Sequence, residues 1–425
     1  MCEIFANCSS VLFCSLNQEK LNMIFLTICL FLLKGFHASE VNQTTQATDR
    51  NGKLIFSVIR FPNAPCVGSG GFNGTCYTAS ECSAKGGSSS LTCASGFGVC
   101  CVFSMACGTT ISQNNTYHII SSFTAATTAS PCTYTICPCN TNICKLRLDF
   151  ETFSIAGPQS ADATAIASVG PSIGDCRTDS FTVTAPDGGS APPTICGLNT
   201  GQHMFVDSSS SCNKLSFNID TANSVSRSWR VKVTQYDCGS NVPGIVDDCL
   251  QYLTGTSGTI KNFNYDSSKS NAVLGANTHL SNQNYNICFR QERGFCSICF
   301  DPVNPSTTAS SFAVSASPNA AAQSATGTTC TGIAIFSDYI EVQNLQLSIG
   351  AAIAIGVQRS CGVLFNDNGI GTVSVTMCSF HVPFRWGVRF NDGETTVASA
   401  ALNTGENVAL GGMSGFDMNW FLRAC

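Results

Sequence analysis

Charge is scarce in this chain. Asp, Glu, Lys and Arg make up 11% of its 425 residues, against about 25% in an ordinary soluble domain. The net charge is −5 and no Lys/Arg run occurs, so the electrostatic footprint of a nucleic-acid binder is missing. Histidine is rare too, with five residues. His118, His203, His279 and His381 have no acid or nucleophile at a telling spacing. The Ala-Ala-His-Cys and Gly-Asp-Ser-Gly-Gly segments of Ser–His–Asp proteases are absent, and Asp187-Gly188-Gly189-Ser190 reads as a loop. A His-Glu-x-x-His zinc motif and a phosphate loop ending in Lys-Ser or Lys-Thr are also lacking. No enzyme is expected. Long apolar runs are missing as well. The run Met23 to Leu33 falls short of the roughly 20 residues that span a bilayer. With Lys20 before it and Ala38-Ser39 after it, residues 1–39 have the layout of a secretory signal peptide, with Met23 as an alternative start. Leu345 to Val357 is interrupted by Gln346 and Ser348 and reads as strand plus loop, so no membrane anchor is expected.

Cysteine is abundant, with 27 residues. A reducing cytosol would leave these thiols free, whereas an oxidising compartment makes them crosslinks. Cys296-Ser297-Ile298-Cys299 has a zinc-like spacing, but no second Cys-x-x-Cys or His pair stands at the usual distance. The expectation is a secreted, extracellular, disulfide-bonded glycoprotein, with Asn42, Asn73 and Asn114 in acceptor sequons. Four cysteines precede residue 40, which leaves 23, an odd number. One is therefore expected to be free or to link a disulfide-bonded oligomer. Cys425 is a candidate, either for such a link or for a pair with Cys378.

Residues 40–65 read as a polar linker. Cys66, Cys76, Cys82, Cys93, Cys100 and Cys101 then fall within 36 residues, a segment too small to bury a core of its own. From Cys107 on, period-two alternation dominates. Leu146, Leu148 and Phe150 alternate, and Phe153 and Ile155 resume after a one-residue slip that predicts a bulge. Trp229, Val231 and Val233 alternate, as do Phe384, Trp386, Val388 and Phe390, and Phe416, Met418, Trp420 and Leu422. Turn clusters separate these runs, which predicts sandwiches. Ser306 to Thr329, rich in Ser, Ala and Thr, reads as a long surface loop.

Cys107-Gly108, Cys132-Thr133-Tyr134-Thr135-Ile136 and Leu148-Asp149-Phe150 with Phe153 resemble the first half of a CUB domain. Cys176-Arg177-Thr178-Asp179, Cys196-Gly197 and Leu215 to Asp220 resemble its second half. The plan repeats from Cys249, through Ile287-Cys288-Phe289 and Ser337-Asp338-Tyr339, and closes on Gly415-Phe416-Asp417-Met418-Asn419-Trp420. The six-cysteine segment, ending in a Cys-Cys pair, resembles the clip modules of arthropod extracellular proteins. The chain as a whole is similar to arthropod secreted CUB-domain proteins with a cysteine-rich front.

The resemblance implies a mainly β fold, with two CUB-like β-sandwiches (jelly rolls) preceded by a small disulfide-rich module. Its implied boundaries are 66–103 for the module, 104–238 for the first sandwich and 239–425 for a divergent second one. It implies the pairs Cys107–Cys132, Cys176–Cys196, Cys249–Cys288 and Cys330–Cys361. In the front module it pairs the first cysteine with the fifth, the second with the fourth and the third with the sixth. Some CUB domains hold Ca²⁺ on one Glu and two Asp. In the first sandwich Asp179 and Asp220 match, but Ala156 replaces the Glu. In the second, Asp338 and Asp392 match and Asp301 is the stand-in, so a calcium site there remains a candidate. The alternative at both places is that these carboxylates bind loop amides. The expected function is non-catalytic binding of an extracellular protein or glycan, with a place near a protease cascade implied by the clip-like front; the alternative is a disulfide-crosslinked structural component of extracellular matrix, cuticle or secretion.

Overall fold

A computed structural model describes residues 59–425 except 113–116, 124–130, 159–173, 185–190, 221–225, 239–247, 266–278, 306–310, 316–323, 327–337, 348–356, 363, 367–372 and 392–413. The signal-like segment, the linker up to residue 58, Asn42, Asn114, Cys330 and Asp392 lie outside the described residues. The chain forms two compact units, Met1–Phe103 and Ser104–Cys425.

In the first unit, β1 (Pro65–Val67), β2 (Asn73–Tyr77), β3 (Ser88–Cys93) and β4 (Gly98–Met105) form an antiparallel ribbon around the short helix α1 (Ala79–Ala84). The helix starts on a capping box. Thr78 Oγ1 accepts the Glu81 amide at 3.2 Å and Glu81 Oε2 accepts the Thr78 amide at 3.0 Å. Disulfides Cys66–Cys100, Cys76–Cys93 and Cys82–Cys101 run through its centre. Cys76, Cys82, Cys100 and Cys101 are almost fully buried, so sulfur does here what a larger apolar core does elsewhere. Asn73 is half-buried at the start of β2.

The second unit holds both sandwiches. In the first, β6 (Tyr117–Phe123), β12 (Arg227–Asp237), β8 (Ile143–Ser154) and β10 (His203–Asp207) form one sheet. The strands β5 (Thr110–Ile111), β7 (Cys132–Ile136), β11 (Asn213–Asn218) and β9 (Ser180–Val183) form the other. Between them lie Phe150, Phe153, Phe181, Phe217 and Trp229, with the Phe217 and Trp229 rings stacked at 4.1 Å. Burial alternates along β12 from Arg227 to Gln235. The register against β8 slips between Phe150 and Thr152, a bulge at Glu151.

The second sandwich comprises β13 (Gln251–Leu253), β14 (Ser257–Lys261), β15 (Asn284–Phe289), β16 (Phe295–Pro302), β17 (Phe312–Ala313), β18 (Ser324–Thr326), β19 (Tyr339–Leu347), β20 (Val357–Gly362), β21 (Met377–Ser379), β22 (Arg385–Arg389) and β23 (Gly415–Ala424). Its hydrogen bonds run on as one curled sheet. The strand β19 makes this possible, because its start pairs with β22 and its end with β21, which continues to β16. Trp386 is the hub of the core, 4.6 Å from Phe300, 5.8 Å from Phe365 and 5.3 Å from Phe416.

The expected long loop at 306–329 needs correction. Phe312 and Val314 are fully buried, and β17 pairs with β23, because two apolar side chains outweigh the polar composition around them.

Candidate functional site

The two sandwiches meet through polar groups. The Phe205 amide donates to Leu250 O at 2.7 Å and the Tyr252 amide to His203 Nε2 at 3.1 Å. Gln202 Nε2 donates to Asn262 O, and Gln251 Nε2 to Gln202 Oε1, both at 3.2 Å. Asn264 closes a reciprocal pair. Its amide donates to Asn199 Oδ1 at 2.8 Å and its Oδ1 accepts the Leu198 amide at 3.2 Å. Gly197, at φ +76°, permits this approach, since a Cβ there would stand 1.8 Å from Asn264 Oδ1. Directional, mostly buried bonds of this kind hold one relative orientation, so loops from both sandwiches are carried on one body.

The sequence-identified aspartates sit at equivalent places. Asp179 precedes β9 and Asp338 precedes β19, and each accepts an amide from the loop after another strand. Asp179 Oδ1 accepts the Asp220 amide at 3.0 Å, and Asp338 Oδ1 accepts the Asn391 amide at 2.7 Å. In the first sandwich Asp179 also accepts the Ala156 amide at 2.7 Å. Arg227 grips both of its oxygens, through Nε at 2.6 Å and Nη2 at 3.1 Å, and both side chains are fully buried. In the second sandwich the neighbour is His279, whose Nε2 lies 3.7 Å from Asp338 Oδ2. The ring is fully buried, stacked on Phe390 at 4.1 Å, with its nitrogens 3.2 and 3.1 Å from the Leu280 and Val314 carbonyl oxygens.

The second sandwich has a counterpart among known protein families. Residues 246–422 match the family model of the animal CUB domain. No curated protein matches the chain. Among solved structures, one of the MASP-1 CUB2 domain bound to Ca²⁺ is 20% identical, covering 30% of this chain and 98% of that one, with a TM-score of 0.22. The CUB1-EGF-CUB2 domains of rat MASP-1 are 13% identical over 74% of this chain and 99% of that one, with a TM-score of 0.22. The full extracellular region of zebrafish Gpr126/Adgrg6 is 13% identical over 75% of this chain and 34% of that one, with a TM-score of 0.21.

Calcium does not fit the first sandwich. Both oxygens of Asp179 are committed to a guanidinium and two amides, and a cation would have to displace Arg227. In the second sandwich Asp301 and Asp338, two of the expected trio, stand apart, and Asp392 lies outside the described residues. Asp301 accepts Thr376 Oγ1 at 2.7 Å beside the Leu347 end of β19, while Asp338 lies before its Tyr339 end. At about 3.3 Å per strand residue they are on the order of 20 Å apart, so one ion cannot bind both. Among the described residues no three His, Cys, Asp or Glu side chains group as a metal site.

Disulfides join Cys107 to Cys132, Cys176 to Cys196 and Cys249 to Cys288. Cys361 is disulfide-bonded. Further bonds are Cys137–Cys212, Cys144–Cys238, Cys296–Cys425 and Cys299–Cys378. This corrects both expectations for Cys425, whose strand β23 lies against Phe295 to Pro302 in β16 and so brings it to Cys296. The two ends of the zinc-like Cys296-x-x-Cys299 enter separate bonds. Among the described residues the free thiol is Cys139. Burial, then the Asp237 carboxylate, pushes its pKa up, which disfavours the reactive thiolate.

Sequence reasoning missed Arg227, His203 and His279 as partners. Arg227 had a readable signal: carrying the Trp229, Val231, Val233 alternation two residues back puts it on the buried face.

Proposed function

We propose that the protein is a secreted, non-catalytic CUB-domain protein that binds an extracellular protein or glycan through surfaces fixed on its two sandwiches. The CUB match at 246–422, on a body whose sandwiches are locked together, carries this reading. The disulfide density supports an oxidising compartment, and no helix of the described residues is long and apolar enough to cross a membrane. The front module's pairing of first with fifth, second with fourth and third with sixth cysteine supports a clip-like module, and with it a place near an extracellular protease cascade. Affinity capture from extracellular fluid on the immobilised full chain should recover a specific partner. Recovery of nothing beyond a reduced, alkylated control would refute the reading.

A second reading, a disulfide-crosslinked component of matrix, cuticle or secretion, draws on the free Cys139. It requires a ladder of species on non-reducing gels of native material, whereas the binding reading requires a discrete monomer.

A further inference from the structure

The outer face of the second sandwich carries a cleft of about 330 Å³ between β15, β19 and β22, closed at one end by the loop after β21. Two arginines line it. Arg389 is fully used: its guanidinium donates to Tyr285 O, Val388 O and Asn286 Oδ1 at 2.8–3.0 Å and pairs with Glu341 at 3.1 Å. Arg385 is the opposite case. Its side chain has no hydrogen-bond or ion-pair partner among the described residues, and its Nε is covered from solvent. The residue is half-buried, so its charge still meets solvent, but the covered Nε is a donor that an incoming acceptor would satisfy. Between the arginines Gly387 leaves the floor bare; a Cβ there would meet the Arg389 guanidinium at 3.0 Å. The amides of Asn286 and Gln343 add neutral polar groups to the wall.

We infer that this cleft takes a single carboxylate side chain, Asp or Glu, of a protein partner, with Arg385 as its counter-charge. With Glu341 neutralising Arg389, one uncompensated guanidinium remains, which suits a monoanion better than a phosphate or sulfate. Beside the cleft, the closing loop exposes Phe380 and Val382 at 57% and 48%. An apolar lip next to an arginine is the composition of a protein–protein contact centre, and it favours a peptide over a free acidic sugar. This inference rests on the binding reading above and gives it an address.

The test uses the full chain and three probes in calorimetric titration: a blocked hexapeptide with one glutamate between two leucines, its glutamine counterpart, and free glucuronic acid. The glutamate peptide should bind the wild type at least tenfold more tightly than the glutamine peptide. Arg385→Gln should lose at least tenfold of that affinity while melting no lower than wild type, because among the described residues its side chain makes no hydrogen bond or ion pair that the fold would lose. No binding of the glutamate peptide, equal binding of both peptides, preference for glucuronic acid, or a variant that melts lower with unchanged affinity would each overturn the inference. Capture from extracellular fluid with both proteins separates the two claims. A partner held equally by wild type and Arg385→Gln overturns the cleft and leaves the binding reading standing; a wild type that captures nothing overturns the binding reading itself.

Discussion

Acidification should loosen the joint between the sandwiches, and His203 sets both sign and window. Its Nε2 accepts the Tyr252 amide at 3.1 Å, a bond that requires the neutral ring. Burial first, then the nearby Arg147, pulls its pKa from 6.5 down to about 4, with Asp149 opposing. Because the folded value is depressed, the unfolded chain binds this proton first as pH falls. The contribution is fully present above 6.5 and is lost progressively between 6.5 and about 4. At about 1.4 kcal/mol per pH unit, that interval is worth roughly 3 kcal/mol. Hydrogen exchange of the Tyr252 amide in the intact protein reads it directly. Its protection, corrected for the intrinsic pH dependence of exchange, should fall by up to about 100-fold between pH 7.5 and 4. His203→Gln keeps an acceptor but cannot titrate, so its protection should stay flat. Constant protection in the wild type, or an equal fall in both proteins, would refute this account of the joint.

Other substitutions test the remaining contacts. Arg227→Met leaves the Asp179 carboxylate buried without its counter-ion and should cost about 3–5 kcal/mol in denaturant titration; adding Asp179→Asn should recover part of that loss, and added Ca²⁺ should recover none. Gly197→Ala forces a side chain into Asn264 at a left-handed backbone position and should cost about 1–3 kcal/mol, with faster exchange at Leu198 and Asn264 rather than in the Trp229 core. Cys139→Ser should leave the melting temperature unchanged, and wild-type protein should run as monomer without reductant; interchain crosslinks that vanish in the variant would contradict the burial argument for that thiol.

The sheets were legible because a strand's two faces repeat every second residue. Leu146, Leu148 and Phe150, the slip before Phe153, and the Phe416 to Leu422 run all describe strands whose apolar members are buried. The sites were less legible, because they join residues that spacing does not relate. Arg227 lies 48 residues from Asp179 and Cys296 lies 129 from Cys425. A buried arginine looks like a break in the apolar pattern until its carboxylate is in view. Asp301 looked like a calcium ligand by order along the chain, but β19 sets it at the far end of the sheet from Asp338. The cleft gathers Asn286, Glu341 and Arg385 from three separate strands, and no local pattern marks that meeting.

Sedimentation velocity of the fluorescently labelled full chain, first in buffer and then in extracellular fluid from its source, tests most directly whether the protein works by gripping a partner. The account predicts a single 44.7 kDa species in buffer, less any processed leader, converted to one discrete heavier complex in the fluid. A chain that still sediments as a monomer in the fluid, or that is already a broad disulfide-linked series in buffer, would contradict it.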